Sequence, residues 1–325
     1  VPGGGSAMKG TGLVWDPRYL GHQTSTVHPE RPERVEALSP QRLRIDVPGF
    51  ETVKIDERLG LPWARRLHSA SHIEEVRRAG VGGRGALDKT GETLVTKDSF
   101  DVAILAAAGA LSLTEEVCGG RLQNGFAAIR PPGHHARGFF TRGFCIFNNV
   151  ALCARYAQER FGFRRVLILD WDVHPADGTS EIFYEDPDVH VVSVHQAGIF
   201  SKTVGTVDQM GSGAGEGATH NLPLAPHTDG KSFLKALEPV LNRAAALCKP
   251  DLVLVSCGFD AHVADPLGSL DLLDEDYGHL TRLALDVADQ WASGRLVSVL
   301  EGGYNPRVVA RGARTHIAAL MGGNP

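Results

Sequence analysis

At 325 residues, with 42% apolar and 22% charged side chains, the chain has the proportions of an ordinary globular protein and can bury a sizeable core. Its formal net charge of −5 lacks the basic footprint of a general nucleic-acid binder, so no direct nucleic-acid partner is expected. No apolar run reaches the roughly 18 residues of a membrane span, and no charged-then-apolar signal segment opens the chain.

Val1–Met8 reads as an expression remnant ahead of a start methionine, which leaves residues 9–325 as a single domain. From residue 95 onward, short β-branched runs alternate with longer stretches rich in Ala, Leu, Glu and Arg. A helix is predicted over 99–117 and a strand over 126–129. A helix over 147–161 precedes strands at 166–169 and 189–194. A helix over 231–248 leads to a strand at 252–255, and one over 275–293 to a strand at 296–300. The strand runs are almost continuously apolar, as expected of strands covered on both faces. The predicted fold class is therefore α/β: one open, doubly wound, mainly parallel sheet flanked by helices. Cys118, Cys145, Cys153, Cys248 and Cys257 include no CxxC pair. An odd count without a framework fits a reducing compartment. The cytoplasm is expected, or an organelle if a transit segment has been removed, but not secretion.

In such a sheet, ligands bind beyond the carboxyl ends of the strands. The tails of the five runs carry Arg130-Pro-Pro-Gly-His-His135, Asp170-Trp-Asp-Val-His174, His195-Gln196, Ser256-Cys-Gly-Phe-Asp260 and Glu301-Gly-Gly-Tyr304. Acids, imidazoles and a phenol thus gather at one end of five strands, and an active site explains this best. Asp170, Asp172 and His174 share parity on an extended strand end, so Asp172 and His174 can grip one metal ion, with Asp260 as third ligand. Three protein ligands leave a position for water, the layout of a catalytic zinc site. The oxygen-rich set without thiolate also suits iron(II), cobalt or manganese. The bland alternative is that these aspartates cap neighbouring loops.

Two carboxylates neutralise a divalent ion, so its water should be less acidic than the ~7 of an all-histidine site. A base and a second electrophile are then needed. His134 and His135 can supply the base, with Asp170 and Asp177 available to fix their tautomers. Alone, a tandem pair would more often be solvated loop histidines. Tyr304 follows two glycines, and its phenol can donate to a developing oxyanion or simply pack at an interface. Gly143-Phe144 and Phe200 could wall a slot for a slim alkyl chain, although core packing is the ordinary role of such rings.

Together these strings resemble the zinc-dependent histone deacetylase family of the arginase/deacetylase superfamily. The resemblance rests on Arg130-Pro-Pro-Gly-His-His-Ala136, Gly143-Phe-Cys-Ile-Phe-Asn-Asn149, Asp170-Trp-Asp-Val-His174, Asp177-Gly-Thr179, Gly258-Phe-Asp-Ala261, Asp265-Pro-Leu-Gly268, Glu301-Gly-Gly-Tyr304 and His28-Pro-Glu-Arg-Pro-Glu-Arg34. It spans roughly residues 11–320, and the Glu-Gly-Gly-Tyr and His-Pro-Glu-Arg-Pro-Glu-Arg forms look more like class II enzymes and bacterial relatives. It implies zinc on Asp172, His174 and Asp260. His135, partnered by Asp177, would be general base and then acid. His134, partnered by Asp170, would contribute electrostatically, and Tyr304 would polarise the amide carbonyl. Phe144, Phe200 and Gly143 would line the acyl-lysine tunnel, with Arg34 deep below near the acetate exit. A structural potassium ion would sit against Asp170, Asp172, the His174 carbonyl and Ser193.

The implied reaction is hydrolysis of an N-acetyl amide on a long aliphatic amine, with acetylated lysine in a protein or peptide as partner. Three features depart from the family pattern. Pro175-Ala176 replaces His-Gly, Ser201-Lys-Thr-Val-Gly205 replaces Pro-Gly-Thr-Gly, and Leu267 stands where polyamine-selective relatives can carry Glu. An apolar Leu267 cannot attract a distal ammonium, which favours acyl-lysine over a small acylated amine such as an acetylpolyamine. Binuclear manganese guanidine hydrolysis would need further bridging ligands. A non-catalytic acyl-lysine binder would be expected to lack a ligand, base or phenol that is present here. A homo-oligomer stays open.

Overall fold

The computed structural model describes residues 10–45, 49–81 and 84–323; the Val1–Met8 segment read as a remnant lies outside the described residues. The strands in chain order are β1 Gly10–Val14, β2 Phe50–Thr52, β3 Arg84–Ala86, β4 Leu94–Thr96, β5 Leu122–Ala127, β6 Val166–Asp170, β7 Val189–Gln196, β8 Thr219–Leu224, β9 Leu252–Cys257 and β10 Leu296–Leu300. Eight form one sheet in the order β2-β1-β5-β10-β9-β6-β7-β8, and every pairing in it is parallel. β3 and β4 make a separate antiparallel pair.

Every residue of β6, β7, β9 and β10 is buried. Helices cover both faces of these strands, which is why their sequences are apolar without alternation. The predicted helices appear at Ser99–Cys118, Asn149–Phe161, Gly230–Cys248 and Asp276–Trp291. Asn148 and Asp229 cap two of them, accepting from the N–H groups of Ala151 and Ser232. A further helix, Pro306–Leu320, starts behind the Asn305 cap with Pro306 in its first turn.

The apolar-run reading missed several elements for a physical reason. β5 begins four residues before the predicted run because Gln123 and Asn124 break its apolar pattern. Asn124 is nevertheless buried, bonded to the Thr11 hydroxyl and the Leu320 carbonyl. β8 is a half-covered edge strand containing Pro223, a residue tolerated at an edge. β1 and β2 complete the opposite end.

The strand order matters most for function. β5, β10, β9, β6 and β7 are contiguous, so four of the loaded tails open side by side along one edge, while His195 and Gln196 fall within β7 itself, paired with β8. All five cysteines are buried free thiols.

Candidate active site

β6 ends at Asp170, and residues 171–176 form a bent loop rather than an extended strand. The Asp172 and His174 side chains still meet, but not through strand parity. The Asp172 N–H donates to Asp170 Oδ1 at 3.0 Å, and the His174 N–H donates to Asp172 Oδ1 at 3.0 Å. Two successive side-chain-closed turns therefore aim both residues inward. The β9 tail brings Asp260 opposite, where its Oδ1 accepts the Val173 N–H at 2.9 Å.

His174 Nδ1 lies 2.9 Å from Asp172 Oδ1 and 3.2 Å from Asp260 Oδ2. One ligand atom from each of the three residues falls within 4.8 Å of the others. Asp260 Oδ2 is buried, and its polar neighbour, His174 Nδ1, lies outside good hydrogen-bond geometry. Burial, then the adjacent Asp172 charge, pushes the Asp260 carboxyl up to about 7. Burial opposes the charged imidazole of His174, but the adjacent Asp172 and Asp260 carboxylates raise it to about 10. An orphaned oxygen among crowded carboxylates, with an imidazole nitrogen facing both, fits a divalent cation. A second group, His134, Cys145 and Glu301, is also close enough to suggest a metal. Its atoms are already engaged, since Glu301 Oε2 accepts the N–H groups of Gly133 and His134, and Cys145 Sγ that of His135.

The β5 tail supplies the tandem histidines, whose ring centroids are 4.0 Å apart. His134 Nδ1 bonds Asp170 Oδ2 at 2.8 Å, and His135 Nδ1 bonds Asp177 Oδ1 at 2.6 Å. Each imidazole thus has its own carboxylate. Burial opposes charge on both, but Asp170 and Asp172 raise His134 well above the ordinary histidine range. Burial, followed by the charge of His134, pulls His135 down to about 3. The two rings are thereby pushed apart, His134 towards the charged form and His135 towards the neutral one. The Pro175-Ala176 departure leaves this intact: Asp177 N–H donates to the Pro175 carbonyl at 2.8 Å, and the Thr179 N–H to the His134 carbonyl at 3.0 Å.

The β10 tail carries Gly302, Gly303 and Tyr304. The Gly302 N–H donates to Asp172 Oδ2 at 2.7 Å, and a Cβ there would lie 2.1 Å from Asp260 Oδ2 and 2.4 Å from Asp172 Oδ2. Only glycine lets the backbone approach these carboxylates. Asp265 Oδ2 accepts the N–H groups of Tyr304 and Asn305, at 2.6 and 3.2 Å, which fixes the loop. Burial pushes the Tyr304 phenol well above its ordinary range, so it stays protonated and able to donate.

Arg34 lies under this loop with its guanidinium carbon 4.9 Å from the Tyr304 ring centroid. Its donors go to the Gly303 and Glu301 carbonyls and to Glu30. It braces the tyrosine loop from below. Glu30 also holds Arg130, at 2.5 and 2.9 Å.

Phe144 and Phe200 are half-buried and stand outside the hydrophobic core. The Phe144 ring meets Tyr304 edge-on at 5.5 Å, and Phe200 meets His135 at 4.6 Å and His174 at 5.6 Å. They flank the site instead of filling the interior. Gly143 has φ +56°, and a Cβ there would be 2.5 Å from the His135 ring. Leu267 attaches to the rim through its N–H, which donates to Asp265 Oδ1 at 3.0 Å. Ser193 is paired across the sheet with Asp170, and its hydroxyl contacts His195 Nδ1 and the Ala176 N–H.

Sequence reasoning missed Asp265, Glu30, Arg137 and Arg142 as site-supporting groups. Glu30 was detectable in principle, four residues before Arg34 and just ahead of the short helix Glu33–Glu36. Nothing in the local sequence points to Arg137 and Arg142, which reach Asp177 only through the fold.

The histone deacetylase domain family matches residues 28–320. A probable deacetylase of Archaeoglobus fulgidus is 35% identical over 96% of this chain and 86% of its own length. A histone deacetylase-like amidohydrolase of Pseudomonas aeruginosa is 33% identical over 92% of this chain and 76% of its own. This chain belongs to the histone deacetylase family. The crystal structure of the HDA15 HD domain superposes with a TM-score of 0.89 at 33% identity, covering 97% of this chain and 90% of that one. The deacetylase fold is thereby established, and whole-chain similarity to deacetylases and amidohydrolases makes the protein a hydrolase. Among the described residues of this deacetylase-family chain, no helix is long and apolar enough to cross a membrane.

Proposed function

We propose that the protein is a zinc-dependent amidohydrolase that removes acetyl groups from Nε-acetyl-lysine in proteins or peptides. The observation carrying this reading is the junction of three units at one strand-end edge: the Asp172–His174–Asp260 group, the His135–Asp177 pair and the buried Tyr304 phenol. Asp172, His174 and Asp260 would hold the metal, which when bound supplies a Lewis acid for the carbonyl and its attacking water.

Phe144 and Phe200 would clasp the alkyl chain and exclude water around the amide. His135, neutral through burial, would take the proton from the attacking water and return it to the departing amine. Its Asp177 bond fixes the tautomer with the proton on Nδ1, leaving Nε2 to accept. Tyr304, protonated, would donate to the oxyanion as the carbonyl becomes tetrahedral. His134, held charged by Asp170, would add positive potential beside the same centre. The potassium expectation rests on the family resemblance alone. The side chains at that place, Asp170 and Ser193, already have protein partners.

The test is kcat/KM on an acetyl-lysine peptide against acetylputrescine, using protein of measured metal content. The reading expects peptide preference, loss of activity on chelation and recovery with zinc. A preference for acetylputrescine would move the substrate to small amines and sink the Leu267 argument. Inactivity on both substrates with zinc bound would remove the acetyl-hydrolase reading.

A further inference from the structure

Asp177, the partner of His135, is itself gripped from behind. Its Oδ1 takes the His135 ring at 2.6 Å, while Oδ2 lies 3.0 Å from Arg137 Nη2 and 2.8 Å from Arg142 Nη2. Burial alone would raise this carboxyl, but His135 and the two guanidiniums hold it well below the ordinary carboxylate range. On its far side lies a cavity of about 300 Å³, bordered by Pro175, Tyr184, Val204 and Gln209 as well as by Arg137 and Asp177 itself. Arg137 Nη2 hydrogen-bonds Asp177 Oδ2 while Arg142 pairs with it through charge, and together the two cations narrow the rotamers open to the carboxylate.

The arginines are anchored differently. Arg137 spans Asp177 and Glu181 and stacks over Phe140. Arg142 lies over the face of Phe200, with its guanidinium carbon 4.2 Å from the ring centroid. The edge-to-face contact between Phe200 and His135 closes a ring of four contacts: His135 to Asp177, Asp177 to Arg142, Arg142 to Phe200 and Phe200 to His135. One guanidinium therefore touches both the carboxylate behind the base and the aromatic wall beside it.

We propose that Arg142, assisted by Arg137, is a positioning residue that locks Asp177 onto His135 and couples the Phe200 wall to the alignment of the base. Its kinetic consequences rest on the amide-hydrolase reading above. An alkyl chain lying against Phe200 presses on a ring backed by Arg142, so seating of the chain and orientation of His135 reinforce each other.

The experiment combines kinetics with a substrate-free measurement, on zinc-loaded protein with thermal unfolding recorded for each variant. Arg142→Ala is expected to lower kcat by about 10- to 100-fold, the range of a misplaced catalytic group, and to raise KM. Arg142→Lys keeps the charge and loses the planar stack. It should recover most of kcat while KM stays raised. Phe200→Leu should raise KM with a smaller effect on kcat. In an Asp177→Asn background, Arg142→Ala should cost less than a further ~2-fold, because the two act through one contact. A kcat within twofold of the parent, or an undiminished loss in the Asp177→Asn background, overturns the proposal.

The low-field Nδ1 proton resonance of His135, assigned with His135→Ala, reads the same lock without substrate. It should shift or broaden in Arg142→Ala and persist in Arg142→Lys. If the parent hydrolyses no acetylated amine but the resonance responds in this way, the lock stands and the functional reading falls. An unchanged resonance in Arg142→Ala overturns the lock. Should Arg142→Ala fail to fold, Arg142→Met carries the same test.

Discussion

Replacing Glu30 by Gln removes one negative charge from a fully buried cluster. The carboxylate meets Arg34 Nη1 at 3.0 Å and Arg130 at 2.5 and 2.9 Å, with His22 at 3.4 Å, and these acidic and guanidinium groups are wholly shielded from solvent. Glutamine keeps the shape and one acceptor but leaves two buried cations uncompensated. Breaking a buried pair in this way costs about 3–5 kcal/mol. The guanidiniums keep their backbone acceptors, Tyr19 and His22 for Arg130 and Glu301 and Gly303 for Arg34, which argues against a larger figure. With an unfolding entropy of about 2.1 cal/mol/K per residue, a ~4 kcal/mol loss lowers Tm by roughly 6 °C in a chain of this length.

Burial would raise the Glu30 carboxyl, but Arg130 above all holds it far below its ordinary 4.5. A depressed folded value means the stabilisation is complete above the unfolded value and is lost as pH falls. The gap between parent and Glu30→Gln should therefore be full near pH 7 and narrow below about pH 4.5. Because Arg34 braces the Tyr304 loop, kcat should also fall about tenfold. Urea unfolding across pH 3–7 measures the first effect. Glu33→Gln, three residues on and exposed beside Arg31, serves as control and should change stability by less than about 0.5 kcal/mol. A Glu30→Gln loss under about 1 kcal/mol, or a gap indifferent to pH, would refute the charge argument.

Tyr304→Phe keeps the ring between Phe144 and Arg34 and deletes only the donor, so kcat should fall about 100- to 1000-fold with metal content and Tm unchanged; a loss under tenfold would deny the phenol its oxyanion role. Gly302→Ala places a Cβ within 2.4 Å of two carboxylate oxygens, and elemental analysis after dialysis should show metal lost while the fold persists. Retained metal would mean that the carboxylates are not the ligands. Burial pulls His316, held between the Thr281 and Ser298 hydroxyls, down to about 3. It binds a proton in the unfolded chain before it does in the folded one, so stability should decline as pH drops below about 6.5, by up to ~1.4 kcal/mol per pH unit. His316→Gln should flatten that slope, and an unaltered slope would place the acid sensitivity elsewhere.

Much of the site was legible because of what a parallel sheet does to sequence. Every strand of such a sheet delivers its carboxyl end to the same edge, so reading the residues after each apolar run already gathered His134, His135, Asp170, Asp172, His174, Asp260 and Tyr304. The four helices predicted over 99–117, 147–161, 231–248 and 275–293 were legible because helical spacing is a local property, whereas Gly60–Leu67, Ala70–Val81 and Pro306–Leu320 were not read. β2 and β8 were not legible, since these edge strands are short or carry polar residues and proline that mimic a loop, and β1 was not because two glycines and a threonine break its apolar run. The strand-parity argument for Asp172 and His174 brought together the right pair by the wrong geometry, because Asp170 and Asp172 accept backbone N–H groups and bend the chain out of extension.

The sequence by itself determined the chemistry on offer: a covered parallel sheet, hard metal-binding donors, a pair of imidazoles and a phenol freed by two glycines. Only the tertiary structure decided who partners whom. It is the order β5-β10-β9-β6 that sets four loaded tails side by side. The fold gives His134 to Asp170 and His135 to Asp177, leaves an Asp260 oxygen unsatisfied and places Arg137 and Arg142 behind the base. Those pairings join residues up to 42 positions apart within this loop set. Local propensity acts only over a turn or two of chain, so contacts at such separations are set by the packing of the whole sheet.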